Sequence, residues 1–250
     1  WMIKKGRAKP AVKANAAQDT YNVTCSETTM TRAYNGNSTT LSYTITKNPG
    51  AQGAISDYKN FTVKYKHQTT GDIVDSMTKA GTYDVIITDN DGGNQITPMP
   101  SGQSAYTITP VSVTVSGITA NDKEYDGTIV ATLDFSKAML SGVISGDDVS
   151  VTATGAFGDK SVDSGKSVTI SNLALTGAKK DNYTLEESGK QTTATASITK
   201  KLIGVSGLAV TSKVYDGTTT ATLSGAPNLT GVISEDTVTV STANATANYE

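Results

Sequence analysis

Cysteine and histidine are nearly missing from this sequence. A single cysteine, Cys25, rules out an internal disulfide framework and any cysteine-based metal cluster. His67 is the only histidine, so a zinc site or a histidine-activated nucleophile would have only Cys25 as a thiol partner, and no Gly-X-Ser-X-Gly elbow is present. Catalysis is therefore not expected. No apolar run approaches the roughly 20 residues needed to cross a bilayer, so no membrane span is expected. Charged residues make up 18% and hydrophobic residues 36%, both on the low side for a globular protein.

The few charges are unevenly placed. Lys4, Lys5, Arg7, Lys9 and Lys13 precede the first acid, Asp19, which leaves 16 basic against 23 acidic residues, a balance of −7, in the remainder. Residues 1–18 read as a basic leader or linker, and the acidic body behind it argues against a nucleic-acid partner. The chain begins with Trp1 and shows no charged-then-apolar export signal, so it is expected to be a fragment of a longer precursor.

What the sequence has in abundance is threonine, glycine and a long period. Tyr34-Asn35-Gly36, Tyr125-Asp126-Gly127 and Tyr215-Asp216-Gly217 place their tyrosines 91 and then 90 residues apart. That interval exceeds the unit of a solenoid or propeller and matches one small β-domain. The second and third repeats agree further. Ser116-Gly117-Ile118 answers to Ser206-Gly207-Leu208, and Ala131-Thr132-Leu133 to Ala221-Thr222-Leu223, at an offset of 90. Gly142-Val143-Ile144-Ser145 answers to Gly231-Val232-Ile233-Ser234 at an offset of 89, so one residue is lost between Leu133 and Gly142. A surface loop tolerates such a loss, whereas a paired strand would turn every side chain to its other face.

Alternating apolar positions mark half-buried strands at Leu41, Tyr43, Ile45; Phe61, Val63, Tyr65; Tyr83, Val85, Ile87; Val111, Val113, Val115; Val149, Val151, Ala153; and Ala194, Ala196, Ile198. Only Ala11–Gln18 and Ser136–Leu140 suggest a helical turn. The expected fold is all-β, with immunoglobulin-like β-sandwich modules in an elongated array. The units are residues 19–109, 110–200 and an incomplete 201–250, the last matching its neighbour only to about Ser161. Tyr106–Pro110 and Ala196–Lys200, 90 residues apart, look like last strands that run straight into the next unit, which leaves little linker.

Candidate chemistry is sparse. In the Tyr-Asp-Gly corner, glycine supplies positive φ and Asp or Asn tolerates the turn, while the tyrosine ring plugs a sandwich end and its hydroxyl reaches a backbone group. Asn35 keeps the turn but is no acid, which favours a structural role. Asp89, Asp91, Asp147 and Asp148 are the candidate oxygen ligands for calcium, without EF-hand spacing and with Thr237 in place of Asp148. Lys64 and Lys123 are candidate donors of an isopeptide bond. No metal or cofactor is expected.

Lys123-Glu124-Tyr125-Asp126-Gly127-Thr128, Gly142 to Val149 and Asn182-Tyr183-Thr184-Leu185 resemble the YDG repeat of large bacterial surface proteins, and Lys213 to Thr218 resembles the start of a second copy. Ala80 to Val85 with Tyr106-Thr107-Ile108 resembles the related MBG module, also called bacterial immunoglobulin-like. The resemblance implies a non-catalytic stalk or spacer in a cell-surface or secreted bacterial adhesin. Its partners would be neighbouring modules of the same polypeptide, with host or cell-surface glycans or proteins bound by other domains. The alternative is a module that itself binds a glycan or host protein through loops near Asp89–Gln95 or through a strand edge.

Overall fold

The computed structural model describes residues 19–49, 53–97 and 99–249; the basic leader and the Ala11–Gln18 turn lie outside the described residues. The chain is all-β, with 47% of it in strands and 1% in helix, arranged in several sheets of β-sandwich character. Contacts divide it into two units. One holds the chain up to Val113 together with Gly142–Ser150 and Thr176–Glu186; the other holds Thr114–Ser141, Val151–Leu175 and the chain from Glu187 onward.

In the first unit a five-stranded sheet runs in the order Thr31–Ala33, Ala105–Thr109, Gly81–Asp89, Phe61–His67, Ile73–Val74, and a two-stranded sheet pairs Thr20–Cys25 with Tyr43–Asn48. The expected alternation is present. Tyr83, Val85 and Ile87 are buried on one side of their strand, as are Tyr43 and Ile45 on theirs. Tyr65 ties the sheet to the next segment by accepting the Leu41 N–H at 2.6 Å. Val111–Val113 pairs in parallel with Tyr183–Leu185.

In the second unit the largest sheet contains Lys123–Glu124, Thr193–Thr199, the long strand Asp163–Thr176, Ser150–Phe157 and Val130–Ala131 in that order. Its core is Ala131, Phe157, Val168, Ala196 and Ile198, with Tyr125 and Leu133 packed against it. Small hairpins recur in register. Val115 pairs with Leu140 as Val205 pairs with Leu229, and Thr119 pairs with Asp134 as Ala209 pairs with Ser224. The lost residue is thereby confined to the loops Phe135–Ala138 and Gly225–Pro227, which lie between conserved pairings. Ser136–Leu140 is not a helical turn. It is a β-turn closed by Ala138 N–H to Phe135 C=O at 2.9 Å and followed by the strand Met139–Ser141, because pairing Leu140 with Val115 extends the backbone. The described helix is a short 3-10 turn at Lys180–Asn182.

Equal sequence does not bring equal burial. Val113, Val115 and Ile118 are at most 2% exposed, whereas their third-repeat counterparts Ile203, Val205 and Leu208 are 40%, 52% and 38% exposed. Strands such as Thr193–Thr199, which complete the sandwich of the second repeat, have no counterpart among the described residues after Lys201. The hairpins form, and their apolar sides stay open.

Candidate functional site

The three tyrosine corners share one turn, and the first two also share the strand that leads into it. A short edge strand leads in and pairs in parallel with the last strand of its own repeat: Ala33 with Thr109, and Glu124 with Thr199. The tyrosine N–H continues that ladder, Tyr34 to Thr109 C=O and Tyr125 to Thr199 C=O, both at 2.9 Å. The next side chain then closes an Asx turn. Asp126 accepts the Thr128 N–H and Asp216 the Thr218 N–H at 2.9 Å, and Asn35 accepts the Asn37 N–H at 3.0 Å. Asn and Asp do share this role, as the repeats suggested. Gly36, Gly127 and Gly217 sit at φ values of 79°, 78° and 80°, a left-handed conformation that glycine adopts without strain.

A cation three residues before the Asx residue completes the corner. Lys123 Nζ lies 2.8 Å from Asp126 and Lys213 Nζ 2.8 Å from Asp216, while Arg32 donates to Asn35 at 2.6 Å. Lys123 also donates to the Thr128 and Val130 carbonyls, so its ammonium bridges the turn to the following strand. With Lys123 and the Thr128 N–H beside it, Asp126 is held down at about 2, and Lys213 and Thr218 lower Asp216 in the same way. Sequence reading considered Lys123 only as an isopeptide donor and missed the corner role of all three cations, although Lys123 and Lys213 keep the 90-residue offset and Arg32 the 91-residue one.

The tyrosine hydroxyl does not go to a backbone group. Tyr34 donates to Asp147 at 2.9 Å and Tyr125 to Asp236 at 3.0 Å. Those acceptors lie 113 and 111 residues downstream, more than one full repeat away. Each acceptor ends a turn of the following repeat. Asp147 N–H bonds to Ile144 C=O at 3.1 Å, and Asp236 N–H to Ile233 C=O at 3.0 Å. The isoleucine that opens each turn faces the corner glycine. A methyl group built on Gly36 would stand 3.6 Å from Ile144, and one on Gly127 would stand 2.9 Å from Ile233. The result is a peg and socket used twice, the first time inside one contact unit and the second time inside the other.

The first socket is the more closed. Tyr34 is 3% exposed, packs edge-on against Tyr183 with ring centroids 5.6 Å apart, and shares Asp147 with the Tyr183 hydroxyl at 2.5 Å. Burial and the Asp147 carboxylate push the Tyr34 hydroxyl up to about 12. Asn182 accepts the Ala80 N–H at its side-chain oxygen, 2.8 Å away. Tyr125 is half-buried, and the bond to Asp236 raises its hydroxyl as well. Tyr215 is 90% exposed.

The aspartates considered for calcium face hydrogen donors. Asp89 is 2% exposed and accepts from Lys47 Nζ at 2.7 Å, from the Tyr21 hydroxyl at 2.5 Å, from the Tyr58 hydroxyl and from the Asp91 N–H. Burial alone would raise its pKa, but Lys47 and the two tyrosines outweigh that and hold it well below the usual carboxylate range. Asp91 bonds Tyr58, Asn60 and Lys47; Asp147 takes the two tyrosines; and Asp148 accepts the Ala178 N–H at 3.0 Å. Among the described residues no group of three or more His, Cys, Asp or Glu side chains is placed to hold a metal ion. Lys64 pairs with exposed Asp75, Cys25 lies 3.0 Å from Glu27, and His67 sits against Tyr83 and the Ala80 carbonyl. The structure does not bring these three candidates into one site.

A family model for the YDG domain matches residues 109–195 and, again, residues 199–250. The chain belongs to the YDG domain family. The two matched stretches contain the Tyr125 and Tyr215 corners and both Ile-Ser-X-Asp turns. Among solved structures it is similar to the three N-terminal domains of the bacteriophage RB49 Highly Immunogenic Outer Capsid protein (Hoc), with 13% identity over 87% of this chain and 71% of that one. The TM-score of that match is 0.23, too low to carry an argument about arrangement. No curated protein matches.

Proposed function

We propose that this chain is a non-catalytic structural segment, a stalk or spacer, of a bacterial cell-surface or secreted adhesin-like protein. The observation that carries the reading is the repeated bond from a tyrosine corner to the carboxylate turn of the next repeat. A catalytic site needs one constellation in one place, whereas this chain spends its most regular polar chemistry on fastening consecutive repeats. The first repeat fits as an MBG-type relative of the two YDG repeats, since it keeps the corner with Asn35 and lacks the Ile-Ser-X-Asp turn. Its equivalent, Ile55-Ser56-Asp57-Tyr58, ends in a tyrosine that turns inward to Asp89.

Mechanically, sheet hydrogen bonds resist extension, and each peg limits bending where one repeat follows the last, with Pro110 alone between strands at the first junction and residues 200–203 at the second. Small-angle scattering of the whole chain tests the reading. An extended, rod-like profile, with no saturable binding to glycan or matrix-protein arrays, is the expected result. A globular profile, or binding abolished by substitution of Asp89 and Asp91, would overturn it.

A further inference from the structure

We propose that Lys47 and Asp89 are the two ends of an intramolecular amide bond, formed by their own condensation, that staples together the two sheets of the first repeat. The inference is independent of the spacer reading. Lys47 lies on Tyr43–Asn48 of the two-stranded sheet, and Asp89 ends Gly81–Asp89 of the five-stranded one, so the bond closes a span of 42 residues. The lysines singled out from the sequence for this chemistry are poorly placed. Lys64 and Lys123 face the exposed carboxylates Asp75 and Asp126, where water stabilises both charges. Lys47 and Asp89 are 6% and 2% exposed, and Lys47 Nζ lies 2.7 Å from Asp89 Oδ2. The amine also sits 4.9 Å from the centre of the Tyr58 ring and 6.0 Å from that of Tyr21. Holding two reactants in contact in this way is equivalent to an effective concentration of about 10⁵–10⁸ M when the geometry is well aligned.

The groups around the pair supply a closed path for the protons. Nζ lies 3.4 Å from Asp91 Oδ2, and the Tyr58 hydroxyl lies 2.8 Å from that same oxygen while also bonding Asp89 Oδ1. The ion pair is the state before reaction. One proton leaves Nζ for Asp91; Tyr58 gives its own proton to Oδ1 and regains one from Asp91. That transfer leaves a neutral amine beside a neutral carboxyl group and removes two charges from a site that excludes water. Nζ then attacks Asp89 Cγ, and the charge that develops on Oδ2 faces the Tyr21 hydroxyl, 2.5 Å away. A second Nζ proton follows the same path, the Cγ–Oδ1 bond breaks, and Oδ1 departs as water beside the exposed Asp91. Asp91 and Tyr58 end as they began. Nothing is oxidised or reduced, and the products are one amide and one water.

The test is the intact mass of the full chain, measured in denaturant, followed by a tryptic digest. The expected mass is one water below that of the sequence. Trypsin should fail to cut after Lys47, giving one branched peptide that joins residues 33–59 to residues 80–123. Lys47→Arg keeps the cation but should restore the full mass, and so should Asp91→Asn, a change at an exposed position that removes only the proton carrier. The full sequence mass in a parent chain whose ¹H–¹⁵N spectrum is that of a folded protein would overturn the proposal. So would a lost water that maps to a succinimide at Asp91, Asp126 or Asp216, each of which precedes a glycine, with normal cleavage after Lys47. A branched peptide that persists in Asp91→Asn would overturn the proton path.

Discussion

The three corners form an internal series in which one motif is given three degrees of closure. Replacing each tyrosine by phenylalanine removes only the hydroxyl. At Tyr34 the ring is 3% exposed and the lost bond, 2.9 Å to the Asp147 carboxylate, is a charged-acceptor bond of the stronger class. Such bonds contribute about 1.5–3 kcal/mol, and Asp147 keeps its second donor, Tyr183, so Tyr34→Phe is expected to cost about 1.5–2 kcal/mol. Tyr125→Phe should have a smaller effect, because its ring is half-exposed and water can replace the hydroxyl at Asp236. Tyr215→Phe should be indistinguishable from the parent, since that ring is 90% exposed. Urea unfolding followed by ¹H–¹⁵N spectra would read each corner through its own amides, which a single global melt of a repeat protein would blur. Equal losses at all three corners, or none at Tyr34, would refute the reasoning.

Val115→Ala and Val205→Ala change the same residue type at the same register, but with 1% and 52% exposure, so a loss of about 2 kcal/mol is expected at the first and under about 0.5 at the second in urea unfolding. Lys47→Met would leave Asp89 buried without its cation, and a loss of about 3–5 kcal/mol in the first repeat is expected from the same measurement. Tyr34 has a folded pKa raised to about 12, so the first joint should keep its full contribution below about pH 10, where the unfolded tyrosine is still neutral, and lose it as pH rises from 10 through 12; tyrosinate absorbance and amide exchange at residues 142–150 would follow the loss.

Much of this fold was legible in the sequence, for identifiable physical reasons. Period-two alternation at Tyr83, Val85 and Ile87 is a direct imprint of a sheet with one buried face, and the structure buries those three residues. The one-residue deletion pointed to a loop because strands cannot slip, and the pairings on either side of Phe135–Ala138 keep their register. The Asx turn was legible because Asn35 and Asp126 share it and little else. The hydroxyl's destination was not. Both halves of the joint stood in the sequence as motifs, but their separation of 111 to 113 residues matches no single period, and only the folded chain shows that a corner meets the turn of the next repeat. Asp147 looked like a metal ligand for the same reason, since a carboxylate's partner cannot be read from its neighbours in sequence when the donor lies a whole repeat away. Ser136–Leu140 misled because its spacing suits a helical turn, while the long-range pairing of Leu140 with Val115 decides the matter.

A double-mutant cycle on Tyr34→Phe and Asp147→Ala tests the joint most directly, because it isolates the energy that the two residues share across consecutive repeats. A coupling of about 1–2 kcal/mol, with the double variant less destabilised than the two single losses together, is the expected result. Strict additivity would mean that the bond between corner and turn holds nothing together.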